Sequence, residues 1–278
     1  MITIIATYIV VGIFAGVFAG LLGIGGGLVI VPILAFVFPL QGIPHEHMMH
    51  LALGTSMASI VFTSISSFWA HHKRGAVNWT IVKRIVPGIV IGTFSGSMLA
   101  SWMSTGFLKG FFVIFLYYVA IRMLRDKKPK ASRGLPGTWG MAGAGGVIGV
   151  ISSLVGVGGG VMAVPFLVWC NVAVHEAIGT AAAIGFPLAI TGATGYLLSG
   201  LKATGLPEYS LGYIYIPALL GIVATSVACA PFGVRLAHSL PVPKLKRAFA
   251  VLLLVVGTKM LTSVEIPQGL VQALKSIL

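Results

Sequence analysis

The chain has 278 residues, of which 57% are hydrophobic and 8% charged, and its mean hydropathy is +1.03. Soluble domains carry about 25% charged residues, so this composition cannot supply a water-facing surface. The formal net charge is +13 against only five acids, Glu46, Asp126, Glu176, Glu208 and Glu265. With no aromatic-interleaved basic patch and no nucleic-acid module, that charge marks the flanks of membrane spans and excludes a nucleic-acid partner.

Residues 2–22 open the chain with an apolar run that meets the length of about 20 residues needed to cross a hydrocarbon core. Residues 1–11 lack a positively charged stretch and run into glycine-rich sequence without a cleavage site, so the segment is expected to be retained. Gly23-Ile24-Gly25-Gly26-Gly27 follows, with Pro32 five residues on. Each glycine costs a helix about 0.5–1 kcal/mol relative to alanine, and this cluster predicts an interruption before a second part at 28–40. If 2–22 spans and 28–40 returns, the element makes no net crossing; if the whole element crosses once, the two halves of the chain become parallel.

Spans are expected next at 50–70, 85–102 and 106–123, with the basic stretch 71–84 between the first two. Residues 122–137, reading RMLRDKKPKASRGLPG, are the one long polar segment. They divide the chain into a first membrane repeat (1–124), a basic linker (125–137) and a second membrane repeat (138–278). The second half carries Gly156-Val157-Gly158-Gly159-Gly160 with Pro165, then spans at 177–199, 211–231 and 248–261, and a basic stretch at 235–247. Alternating β-barrel segments are absent from this pattern, so the spans are expected to be helices.

The halves match in an ordered series: the two glycine runs with their prolines, His45-Glu46 with His175-Glu176, Gly54-Thr55 with Gly179-Thr180, Pro87 with Pro217, and Leu108-Lys109 through Leu124 with Leu245-Lys246 through Leu261. Placing the basic stretches 71–84, 122–133 and 235–247 inside gives each half one glycine-broken, net non-crossing element and three crossings. The expected fold is an all-α polytopic membrane protein of two inverted repeats, an arrangement common in secondary transporters.

Broken backbone at membrane depth is tolerated where it is buried in protein or lines a wet cavity. A break also creates a helix N-terminus, whose open N–H groups and partial positive charge suit an anion. The candidate substrate-binding residues are therefore Gly25, Gly26, Gly27, Gly158, Gly159 and Gly160, joined by the hydroxyls of Thr55, Ser56 and Thr180, which follow glycine in the next span. The competing readings are close helix packing through small residues and hydroxyls bonded to their own helix. Asn78 is expected to cap a loop, and Glu46 and Glu176 to complement helix starts.

HEHMMH at 45–50 lacks zinc-site spacing, Cys170 and Cys229 have no CxxC partner, and no metal or cofactor is expected. The histidines leave proton coupling open. No acid, Lys or Arg lies in the middle of an expected span, whereas cation and proton carriers place acids there; the ligand is therefore read as a small anion. A passive anion channel of the same architecture is the alternative to a transporter, and an intramembrane enzyme lacks a nucleophile–base set.

GLLGIGGGLVIVPIL, GTSMASIVFTSISSFWAHHKRGAVNW and GYIYIPALLGIVATSVACAPFGVRLAHSLPVPKLKRAFAVLLLVVG together resemble the TauE/SafE family of sulfite exporters, across nearly the whole chain. The matching positions are Gly23, Gly25–Gly27 and Pro32, Gly54-Thr55-Ser56, His71-His72, Arg74-Gly75, Gly156, Gly158–Gly160 and Pro165. The resemblance implies a bacterial or archaeal inner-membrane, multi-pass protein that moves sulfite or small organosulfonates, mostly outward. Thr180-Ala181 stands where the pattern would place Thr-Ser, which removes one hydroxyl from the second half.

Overall fold

The computed structural model describes residues 2–22, 25–125, 134–239 and 242–262. Gly23, Asp126, most of the basic linker and Glu265 lie outside the described residues.

Ten helices appear among the described residues, five in each half: α1 Ile2–Leu22, α2 Gly27–Leu40, α3 His45–His72, α4 Trp79–Ala100 and α5 Thr105–Arg125, then α6 Thr138–Val155, α7 Gly160–Trp169, α8 Val174–Gly200, α9 Ile216–Ser239 and α10 Val242–Thr262. A two-stranded hairpin, β1 Ser210–Leu211 with β2 Ile214–Tyr215, precedes α9. Among the described residues α3, α4, α5, α6, α8 and the first 18 residues of α9 are long and apolar enough to cross a membrane. The protein is thus a multi-pass, all-helical membrane protein. α6, expected within a non-crossing element, qualifies by length; α10 is not among the candidates found in the described residues, and Lys244, Lys246, Arg247 and Lys259 fall within its 21 residues.

α2 folds back along α1. The start of α2 lies beside Ala15, since a Cβ on Gly26 would sit 2.8 Å from Ala15 O, and Gln41 just past its end donates a hydrogen bond to Tyr8 Oη. The chain therefore returns after the first break, as one of the two sequence alternatives required.

α3 and α8 form the centre and run antiparallel. Gly54 packs on Tyr196, Gly192 on Met57 and Gly185 on Ser64. Around them the halves exchange partners. α1 of the first half packs on α9 of the second, and α6 of the second on α4 of the first. Both contacts are built on glycine stripes: a Cβ on Gly88 or Gly92 would lie 1.8 or 2.1 Å from the α6 carbonyls of Ala142 and Gly146, and one on Gly12 or Gly16 would lie 2.4 Å from the α9 carbonyls of Ile222 and Ser226. Such small-residue stripes bring backbones together where lipid removes the hydrophobic drive to associate.

The contacts correct the sequence register between the halves. Asn78 opens α4 as Tyr215 opens α9, an offset of 137. Pro87 is the ninth residue of α4 and Pro217 the second of α9, so these prolines are not equivalent. His45-Glu46 and Gly54-Thr55 share the uninterrupted helix α3, and their separation differs from that of His175-Glu176 and Gly179-Thr180 in α8. Loop insertion cannot absorb that difference, and the equivalent pair is Gly-Thr, at an offset of 125.

Candidate functional site

The glycine runs break the chain as their conformational freedom predicts. Gly25 and Gly26 take φ values of 73° and 81°, in a left-handed region that costs L-residues energy. In the second half the left-handed residue is Gly156, φ 66°, which closes α6 through Val157 N–H to Ser152 O, a glycine C-cap. Gly26 O accepts from the N–H groups of Val29 and Ile30, and Gly159 O from those of Met162 and Ala163. The first N–H groups of a helix find no carbonyl within that helix, and here they are those of Gly27 and Leu28 in α2 and of Gly160 and Val161 in α7.

The two breaks touch. A Cβ on Gly25 would lie 3.2 Å from Gly158 Cα, and one on Gly27 would lie 2.2 Å from Gly156 O and 2.8 Å from Val157 Cα. Gly26, Gly27, Gly158, Gly159 and Gly160 are buried and Gly25 is half-buried. Gly25 abuts Ile60, and Gly159 faces Ile184 and Leu188, so the contact sits beside the middle of α3 and of α8.

The hydroxyls do more than the sequence indicated. Thr55 Oγ1 on α3 accepts the backbone N–H of Tyr215 at the head of α9, at 2.9 Å. Thr180 Oγ1 on α8 accepts the backbone N–H of Asn78 at the head of α4, also at 2.9 Å. Each threonine thus holds the start of a helix in the other half. The glycine before it gives that segment room: a Cβ on Gly54 would lie 2.2 Å from Tyr213 O, and one on Gly179 2.3 Å from Ala76 O. A hydroxyl oxygen that accepts keeps its own proton to give. Ser56 gives its proton to Gly156 O at 2.7 Å, bracing the second break from the first half. Asn78 caps α4 through Ile81 N–H and donates to Glu176 at 2.6 Å. Glu46 and Glu176 stand inside the first turns of α3 and α8, whose N-cap positions are Pro44 and Ala173, so they complement the helix dipole and cap nothing.

Replacing either latch threonine by the isosteric valine leaves a backbone N–H without its acceptor. Thr55→Val and Thr180→Val are each expected to destabilise the protein by about 1–3 kcal/mol. Thr191, whose hydroxyl donates to Pro187 O within its own helix, serves as the control, with Thr191→Val expected to be near neutral. Thermal unfolding of the detergent-solubilised variants checks the contrast.

α3 also carries a polar stripe. Thr55, Ser59, Thr63, Ser67 and His71 recur every four residues on α3 and are all buried. Ser59 and Thr63 bond to carbonyls of their own helix, whereas Ser67 Oγ is buried without a hydrogen-bond partner. The stripe runs from the glycine contact toward the basic turn at Lys73 and Arg74. Its i+4 period was present in the sequence, hidden among the alanines and other serines of the same helix. Two of the HEHMMH histidines bond to carbonyls: His47 Nε2 meets Thr204 O in the loop after α8 at 3.0 Å, and His50 Nε2 meets Ala100 O at the end of α4 at 3.1 Å.

Comparison with known proteins gives a consistent result. A family model described as sulfite exporter TauE/SafE matches residues 8–260. A protein of Haemophilus influenzae described as a "probable membrane transporter protein" is 39% identical over 262 residues, covering 94% of this chain and 99% of its own length. A similarly described protein of Methanocaldococcus jannaschii is 28% identical over 262 residues, covering 91% and 94%. No solved structure matches the chain significantly.

Proposed function

Since the chain belongs to the sulfite exporter TauE/SafE family, we propose that it is a secondary transporter that exports sulfite or a small organosulfonate across the cytoplasmic membrane by alternating access. The observation that carries the reading is the contact between the two glycine breaks beside the middle of α3 and α8. Two helix N-termini open there, from α2 and α7, and first-turn N–H groups and helix dipoles stabilise negative charge without a buried cation. The substrate-binding set is Gly25, Gly26, Gly27, Gly158, Gly159 and Gly160, with the free protons of Thr55 and Thr180 as further donors and Ser56 as the brace of the second break. The polar stripe of α3 continues from this point toward the basic end of the helix, which suits an anion leaving or entering on that side.

Antiparallel α3 and α8, with reciprocal contacts between the halves, support an inverted-repeat arrangement. In such a protein one repeat rocks against the other around a site near the bilayer midplane. Glycine at the contact lets the backbone change φ as it moves.

The test is counterflow in proteoliposomes loaded in turn with sulfite, thiosulfate, sulfoacetate and taurine. Sulfite or a sulfonate is expected to exchange and, with a coupling gradient imposed, to accumulate against its own gradient. Flux that only ever runs downhill would identify a passive channel, and absence of flux with all four would refute the substrate class.

A further inference from the structure

A groove of about 800 Å³ lies between α3 and α9, and no residue of the glycine breaks lines it. Its floor is apolar: Phe62, Ile65 and Trp69 on α3 are 45%, 47% and 55% exposed, and Val227 and Pro231 on α9 complete it. Ser66 donates to Val227 O at 3.2 Å and ties the two helices together beneath it. One end is cationic, formed by Lys73, Arg74 and Arg235, with Lys73 Nζ 5.7 Å over the Trp69 ring.

Dimensions and charge together select an occupant. The α3 stripe from Phe62 to Lys73 rises about 16 Å at 1.5 Å per residue, the depth of one leaflet of a hydrocarbon core of about 30 Å. A small free anion gains nothing from an apolar trough of that length, whereas an acyl chain fills it and places its phosphate at the cationic end. The three cations also belong to the basic stretches at 71–84 and 235–247 that the charge bias places on the cytoplasmic side, where anionic lipids give the membrane its negative surface.

The repeat supplies an internal comparison. Under the offsets fixed by the latches, the places of Lys73, Arg74 and Arg235 are taken in the α8–α4 pair by Leu198, Ser199 and Met98. The charge is present on one face only, in keeping with the cytoplasmic bias of Lys and Arg, so this groove alone has a cationic end at the level of the headgroups. We propose that the α3–α9 groove binds an anionic phospholipid, with its acyl chain over Phe62, Ile65 and Trp69 and its phosphate between Lys73, Arg74 and Arg235.

Native mass spectrometry of the detergent-purified protein, titrated with phosphatidylglycerol or phosphatidylethanolamine of the same acyl chains, tests this. Wild type is expected to retain phosphatidylglycerol with a preference of about tenfold or more, because basic residues at the membrane surface favour anionic headgroups. The combined variant Lys73→Ala, Arg74→Ala, Arg235→Ala is expected to lose the preference. Ile65→Trp, at a half-exposed position, fills the floor without touching a cation and is expected to lower retention by itself, so the result does not hang on the folding of one variant. Equal retention of the two lipids by wild type, or a preference surviving both variants, would overturn the proposal. Displacement of the lipid by millimolar inorganic phosphate would assign the cationic end to a free anion and overturn it too.

Discussion

Gly27→Ala is expected to remove the folded protein from the membrane and all flux with it. The added Cβ would stand 2.2 Å from Gly156 O and 2.8 Å from Val157 Cα, and both are backbone atoms of the other break. No rotamer change relieves such an overlap; one break must withdraw from the other. Overpacking of ordinary side-chain contacts costs about 1–3 kcal/mol, and a backbone collision lies beyond that range. Ser56, which donates to the same Gly156 O, would be displaced as well. Fluorescence-detected size-exclusion of the solubilised protein is expected to show a loss of the monodisperse peak. A monodisperse Gly27→Ala protein with wild-type melting would mean that the two breaks are not in contact.

Gly159→Ala separates folding from transport. Gly159 has φ −56°, within reach of any residue. Its added Cβ would meet only the ends of two side chains, Leu188 Cδ1 at 3.3 Å and Ile184 Cγ2 at 3.5 Å. These can give by a few tenths of an ångström, so the folded protein should survive with a loss within about 1–3 kcal/mol. The flux is expected to fall by about tenfold or more, because the methyl group crowds the start of α7 and confines a residue whose backbone must move between states. Proteoliposome flux normalised to folded protein is the measurement, and wild-type flux from Gly159→Ala would move the site elsewhere. Gly26 is no substitute for this test, since its φ of 81° and its closeness to Ala15 put strain and collision into any larger residue.

Much of this was legible from residue order. Polar residues are so few that the spans declare themselves, and the GxGGG runs are so unfavourable in a continuous helix that two of them predicted two breaks. Five helices, α1 to α5, precede the linker and five, α6 to α10, follow it. Register was less legible. His-Glu and Pro pairs recur by composition, and only contacts such as Thr180 with Asn78 reveal which residues occupy equivalent places. The α9 start was misplaced for a related reason. Residues 211–215 run on into the apolar helix without a polar break, but Gly212 at φ 55° and the bond from Tyr215 N–H to Thr55 hold them as a hairpin. The threonine roles were invisible because their partners are backbone groups more than 100 residues away, which no local pattern encodes.

The exchange of partners between the halves has a consequence for how the chain is made. The pairing of α1 with α9 and of α4 with α6 resembles the reciprocal contacts across a two-fold dimer interface. When the ribosome has released the first half, the glycine-striped faces of α1 and α4 have no mates, because α9 and α6 are still to come. The first half is thus left with unmatched faces until the second half arrives. Separately encoded halves should meet in the membrane as subunits of a heterodimer, and neither should persist without the other.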